Sequence, residues 1–282
     1  MNRHHFRVPK HKPFLRYFSL LLSCQFILPV RRFFMRLLPF IRFESQVSHI
    51  VYLSWLVDIE QVRERYPERV HLWERQGKTV FTILSYQHHH FGFRFLGPFR
   101  RWMPSPRQSN WRFYLNDTAP KTVIFEQVLI DHALYVVGGR LASDVMPAQY
   151  AAKFEHEFDS KQQAIQTEVY VDQDYSFKSH VGIRQEKSLP ATWQSLFDSW
   201  ADAVHFLVDQ DHAWAEWVDQ PQRMSQGDIQ MPVCFEQIQA AEVLALSPPE
   251  LLKQFQIDAD ADVFAFVIPA LDFYVLNEKI LN

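Results

Sequence analysis

Gln108 to Phe158 reads QSNWRFYLNDTAPKTVIFEQVLIDHALYVVGGRLASDVMPAQYAAKFEHEF, and its periodicities decide the fold. Asn110, Arg112 and Tyr114 alternate with Trp111, Phe113 and Leu115, so a strand there shows one polar and one apolar face. Thr122 to Val128 is rich in β-branched and apolar residues and reads as a second strand. Asp131 stands where a cap is wanted before a helix over His132 to Ala142. Gly138 and Gly139 inside that helix each cost about 1 kcal/mol relative to alanine, which predicts a close neighbour. Pro147-Ala148-Gln149 then turns the chain into another strand from Tyr150. The resulting class is α+β, mainly β.

Towards the C-terminus the pattern becomes a meander, with strands near 150–158, 162–171 and 175–183. Trp193, Leu196, Phe197, Trp200 and Val204 form a core stripe at helical spacing, and Val204–Val208 with His212–Val218 reads as a hairpin. Asp258, Asp260 and Asp262 imitate the start of a calcium loop, but Val263 replaces the required glycine and Pro269 the closing glutamate. Phe264 to Leu276 reads as a final apolar strand or helix.

Towards the N-terminus, Val47 to Val57 reads as a strand with Val47, His49, Val51, Leu53 and Trp55 on one face. Asp58 caps a short helix IEQVRERY, and Thr79 to Tyr86 is the next strand. His88-His89-His90 reads as a solvated loop, because three consecutive histidines point in different directions and do not converge on one ion. Phe91 to Pro106 reads as a long loop over a pocket mouth. At least seven strands with few helices argue for a barrel-like or sandwich core.

The chain has 282 residues, 48% of them hydrophobic, with only seven glycines against 25 Phe, 10 Tyr and 8 Trp. That supports a large, aromatic-rich core. Residues 1–43 carry nine Lys or Arg and no acid, whereas the remainder holds 20 basic against 32 acidic residues. Cys24 and Cys234 match neither a zinc spacing nor a disulfide framework. No metal site and no cofactor are expected, since GxGxxG and P-loop patterns are absent. The body's acidity and the lack of a recognition module argue against nucleic acid.

The longest uncharged apolar run near the start, Tyr17 to Val30, has 14 residues, short of the roughly 20 that cross a bilayer. A signal peptide fits the basic start and Leu22-Ser23-Cys24, but another greasy, Arg-studded stretch follows. Arg32 and Arg36 share a helical face amid Phe33, Phe34, Leu37, Leu38 and Ile41. Such a helix suits an anionic membrane surface, or an arm docked by its arginines on the acidic body or a neighbouring subunit. A cytoplasmic protein with peripheral membrane contact through residues 1–43 is the expectation.

Three segments together, SWLVDIEQVRERYP (54–67), NWRFYL (110–115) and LIDHALYVVGGRLASDVMPAQYAAKF (129–154), resemble the uncharacterised YqjF-like family of the acetoacetate decarboxylase-like superfamily. The resemblance runs from about Val47 to Val243. It implies an acetoacetate decarboxylase-like β-barrel over 44–245 with flanking helices and a central cavity, a basic helical arm (1–43), and an extension (246–282) packing on the barrel. It also implies a homo-oligomer.

Decarboxylases of that superfamily use a lysine for Schiff-base formation, beside a second lysine that depresses its pKa, in a Pro-Lys-Lys turn. Here the turn is Pro147-Ala148-Gln149, and by the same resemblance Gln108 replaces a glutamate. Lys153, the nearest lysine, reads as a surface residue. The implied cavity lining is Gln108, Asn110, Arg112, Tyr114, His132, Arg140 and Gln149. Arg112 would grip a carboxylate in a bidentate manner, with Asn110, Tyr114 and Gln149 orienting the ligand. Expected function is therefore binding of a small organic acid or carbonyl compound without Schiff-base decarboxylation. The alternatives are a lyase, hydratase or isomerase reaction using His132 as acid or base, or a membrane-peripheral interaction protein.

Overall fold

The computed structural model describes residues 4–7, 27–37, 39–115, 121–258 and 261–281. Helix α1 (Ile27–Leu37) precedes strands β1 (Phe43–Asp58) and β2 (Lys78–Phe93), a 3-10 segment (Arg94–Trp102), β3 (Arg107–Tyr114), β4 (Thr122–Ile130) and helix α2 (Ala133–Ala142). There follow β5 (Gln149–Tyr150), β6 (Lys153–Asp159), β7 (Ala164–Tyr170), β8 (Phe177–Arg184) and helix α3 (Trp200–Val208). The chain ends with β9 (His212–Glu216), β10 (Met224–Gln230), β11 (Gln239–Ser247), the short α4 (Leu251–Gln254) and β12 (Phe264–Leu281). Among the described residues, no helix is long and apolar enough to cross a membrane.

The class is α+β and mainly β, as the alternation predicts. Strands pair in the order β1-β2-β3-β4-β9-β10-β12, and β12 pairs again with β1, so the curved sheet's path returns on itself. Strand β12 makes this possible by its length: Ala265–Val267 pairs with β11, Tyr274–Leu281 with β10, and its other edge with β1. From β11 the sheet continues through β8, β7 and β6.

Strands β3 and β4 and the middles of β1 and β2 are covered on both faces. One buried cluster holds Tyr52, Tyr86, Tyr114, Phe266 and the inner side of α3; the other holds Trp55, Phe81, Trp111, Phe113 and Phe255. In β1 the expected single face is broken, because His49 takes a positive φ of 53° at a register shift between Ser48 and Val51. An extra residue at a bulge reverses the alternation, so Val47 joins Ile50 and Tyr52 in the first cluster while Val51, Leu53 and Trp55 face the second.

Three local expectations need correction. Val204–Val208 belongs to helix α3, not a hairpin: Trp200, Ala203, Val204, Leu207 and Val208 are buried at helical spacing, and Ser199 caps Asp202 N at 3.1 Å. IEQVRERY forms two 3-10 turns, with Asp58 ion-paired to Lys78 at 2.7 Å rather than capping. His88–His90 are part of β2, with His88 buried and its two neighbours exposed.

Candidate functional site

Gln108, Asn110, Arg112 and Tyr114 alternate along β3, so they share the face turned to the first cluster, while Trp111 and Phe113 face the second. All four are buried. A polar chain runs through them: His88 Nε2 lies 3.1 Å from Gln108 Oε1, Gln108 Nε2 donates to Asn110 Oδ1 at 2.7 Å, and Asn110 Nδ2 donates to the Tyr86 hydroxyl at 3.0 Å. At its far end His88 Nδ1 lies 3.0 Å from Ser45 Oγ. Burial pushes the His88 imidazole down to about 4, against the opposing pull of Gln108. The ring is therefore neutral near pH 7, and with Gln108 oriented this way it carries its proton on Nε2.

Arg112 donates from Nη2 to the Leu207 carbonyl at 2.8 Å, near the C-terminal, partially negative end of α3. Its Nε and Nη2 approach the Tyr114 hydroxyl at 3.4 Å, and its guanidinium lies 5.6 Å from the Tyr52 ring centroid. Burial works against the charge, and the Tyr114 and Tyr52 hydroxyls outweigh it, leaving the pKa raised. Contrast Arg65 on the other face of the sheet, which meets the buried carboxylate of Glu126 at 2.6 Å.

Arg140 and Gln149 form a second group. Arg140 is buried and donates to three carbonyls: Ala148 at 2.6 Å, Pro147 at 3.2 Å and His4 at 2.6 Å. Its Nη1 has no hydrogen-bond partner among the described residues, and burial pushes the guanidinium down to about 9. Among the described residues, neither Arg112 nor Arg140 is ion-paired with a carboxylate.

The segment His4–Arg7 lies over this second group. Gln149 Nε2 donates to the His5 carbonyl at 2.7 Å, Arg7 N donates to Gln149 Oε1 at 2.9 Å, and Arg140 sits 5.2 Å from the Phe6 ring centroid. Phe6 is only 2% exposed and belongs to the same cluster as Tyr52, Tyr86 and Tyr114. Arg7 in turn is ion-paired with Asp172 and, at 3.4 Å, with Asp174.

His132 joins neither group. It takes the N-cap position of α2 without a side-chain cap bond, its ring edge-on to Tyr135 at 5.3 Å. Asp131, expected to cap that helix, instead receives Arg107 N at 2.9 Å. Of the two helix glycines only Gly139 meets a close neighbour, Met146, which an added Cβ would approach to 3.3 Å. Lys153 is exposed and paired with Glu168 at 2.9 Å.

Sequence reasoning missed His88, Tyr52, Tyr86, the Leu207 carbonyl and the His4–Arg7 segment. The alternation Leu84, Tyr86, His88 carries the signal for His88; extending the strand by two residues would have placed it beside Tyr86.

The model of DUF2071, a family of uncharacterized conserved proteins, matches residues 44–247. The chain belongs to the DUF2071 family. No curated protein matches this DUF2071 chain by sequence. Among solved structures it is similar to the enduracididine biosynthesis enzyme MppR complexed with pyruvate, at 12% identity and a TM-score of 0.58, over 87% of this chain and 91% of that one. An acetoacetate decarboxylase-like enzyme from Sphingomonas wittichii RW1 is similar at 11% identity and 0.55, over 87% and 95%. The acetoacetate decarboxylase from Legionella pneumophila is similar at 11% and 0.54, over 85% and 87%. The DUF2071 chain thus has the acetoacetate decarboxylase-like fold that the three segments implied.

Proposed function

We propose that the chain binds a small organic acid or carbonyl compound in the interior space that His4–Phe6 fills here, with Arg140 as the anchor for its carboxylate. One observation carries this reading. Among the described residues, Arg140 is a buried cation whose hydrogen bonds all go to carbonyl oxygens, one of them supplied by the covering segment, and its Nη1 makes none. A carboxylate would replace the His4 carbonyl with a charge-assisted, two-pronged contact, which is stronger. Gln149, released from His5 and Arg7, would offer an amide donor and acceptor to a carbonyl or hydroxyl. Arg112 adds positive potential to the same cluster of side chains.

Schiff-base chemistry is not part of the reading. Position 148–149 holds Ala-Gln, and none of the lysines among the described residues is buried, whereas a nucleophilic lysine needs a desolvated or cation-flanked amine. The fold neighbour solved with pyruvate makes 2-oxo acids the first compounds to try.

A thermal-shift and calorimetric panel of 2-oxo and 2-hydroxy acids, starting with pyruvate, tests it. Binding by the full chain that Arg140→Met abolishes, and borohydride that traps no adduct, is the expected result. Binding that survives Arg140→Met, or no binding by either the wild type or Phe6→Ala, would overturn it.

A further inference from the structure

Helix α1 buries Leu28 but leaves most of its large apolar side chains in water and turns two arginines inward. An amphipathic helix normally buries its apolar stripe and shows its charges to solvent. Here Arg32 points inward, donating to Asp144 at 2.8 and 2.9 Å and to Asp219 at 2.9 and 2.6 Å, with its guanidinium 3.6 Å from the Trp217 ring centroid. Arg31 also turns inward, pairing with Asp144 and donating to the Arg140 carbonyl at 2.7 Å. Val30, Phe33, Phe34 and Leu37 are left outward, the last 67% exposed.

The segment after β2 is a second exposed apolar element. Phe95, Phe99 and Trp102 project from the 3-10 segment, exposed by 72%, 57% and 71%. The two elements are joined: Arg94 N donates to the Arg42 carbonyl at 2.9 Å, and rings run from Phe40 through Phe43 and Phe93 to Phe95. Tyr135 of α2 ties the base of the segment to the helix that α1 packs on, through the Phe91 and Pro104 carbonyls. Exposed apolar surface of this extent marks an interaction site.

We infer that this composite face, the outer side of α1 together with Phe95, Phe99 and Trp102, lies on an anionic lipid surface. Charge selects the occupant. Residues 27–43 and 91–109 contain no acid, and Arg42, Arg94 and Arg101 are exposed around the patch. Glu44, at the start of β1, is held by Arg100 and Arg94, and Asp144 and Asp219 are held by the inward arginines of α1. A two-fold contact with a second copy would set this positive rim against itself, whereas an anionic bilayer takes both the aromatic tips and the arginines. The inference is independent of the ligand reading and moves lipid contact from the arm's inward arginines to its apolar side.

Co-sedimentation of the full chain with phosphatidylcholine vesicles, with and without about one-third phosphatidylserine, tests it. Wild type pellets with the anionic vesicles only. Phe33→Asp/Phe34→Asp and, separately, Phe99→Asp/Trp102→Asp each weaken binding at least tenfold, while Leu244→Asp, at an exposed apolar site on β11, leaves it unchanged. Three results would overturn it: no pelleting of wild type, binding that the Phe99/Trp102 variant retains in full, or a dimer by light scattering that the Phe33/Phe34 variant dissolves.

Discussion

Replacing Phe6 with alanine should make the chain bind pyruvate more tightly, and the size of the effect follows from what holds His4–Arg7 down. Burying the Phe6 ring contributes about 2.5 kcal/mol. The two hydrogen bonds to Gln149 contribute about 1 kcal/mol each and the charged one from Arg140 to the His4 carbonyl about 2. The half-exposed Arg7 pair with Asp172 and Asp174 adds about 0.5. Against this total of about 7 kcal/mol stands the entropy of ordering four residues, about 1.5 kcal/mol each, or about 6. The net is about 1 kcal/mol, so the cover is open roughly 15% of the time. Removing most of the Phe6 contribution tips the balance towards open, and since apparent affinity scales with the competent fraction, it should rise about five- to sevenfold. Isothermal titration of wild type and Phe6→Ala with pyruvate, with circular dichroism to verify the fold, measures this. Equal or weaker binding by Phe6→Ala would refute the placement of the site beneath Phe6.

Other perturbations separate structural from ligand-facing charges. Arg112→Met should change thermal stability by no more than about 1 kcal/mol, roughly 2–4 °C, because the Leu207 carbonyl keeps the Tyr114 hydroxyl at 3.3 Å; a loss above about 3 kcal/mol in urea unfolding would make Arg112 a structural cation. Glu126→Ala should cost about 3 kcal/mol by the same measurement, since it strips a buried carboxylate from Arg65 at 2.6 Å and the Tyr66 hydroxyl at 2.8 Å. Burial holds both His88 and His156 down to about 4, against about 6.5 when unfolded. Between those values the unfolded chain binds more protons than the folded one, so stability is full above about pH 6.5 and falls as pH drops towards 4, by up to about 3 kcal/mol per histidine. Urea midpoints across that range check it, and His156→Gln should remove one histidine's share of the slope.

How much was legible in the sequence depends on whether the deciding contact was local. The alternation of Asn110, Arg112 and Tyr114 with Trp111 and Phe113 placed each side chain on its proper face of β3, because period-two patterning is a property of the strand itself. It could not see that both faces are covered, since the cover over Arg112 is α3, whose Leu207 lies 95 residues away. The face reading failed in β1 for an equally physical reason: the bulge at His49 depends on pairing with β2, and a histidine in the left-handed region carries no sequence warning. Helix α1 is the sharpest case. Its periodicity shows that Arg31 and Arg32 lie apart from Phe33, Phe34 and Leu37, but the side that faces in is decided by Asp144 and Asp219, 112 and 187 residues from Arg32. The carboxylates that hold Arg32 inward are thus what leaves Val30, Phe33, Phe34 and Leu37 on the outer side of α1, and no window of sequence around the helix contains them.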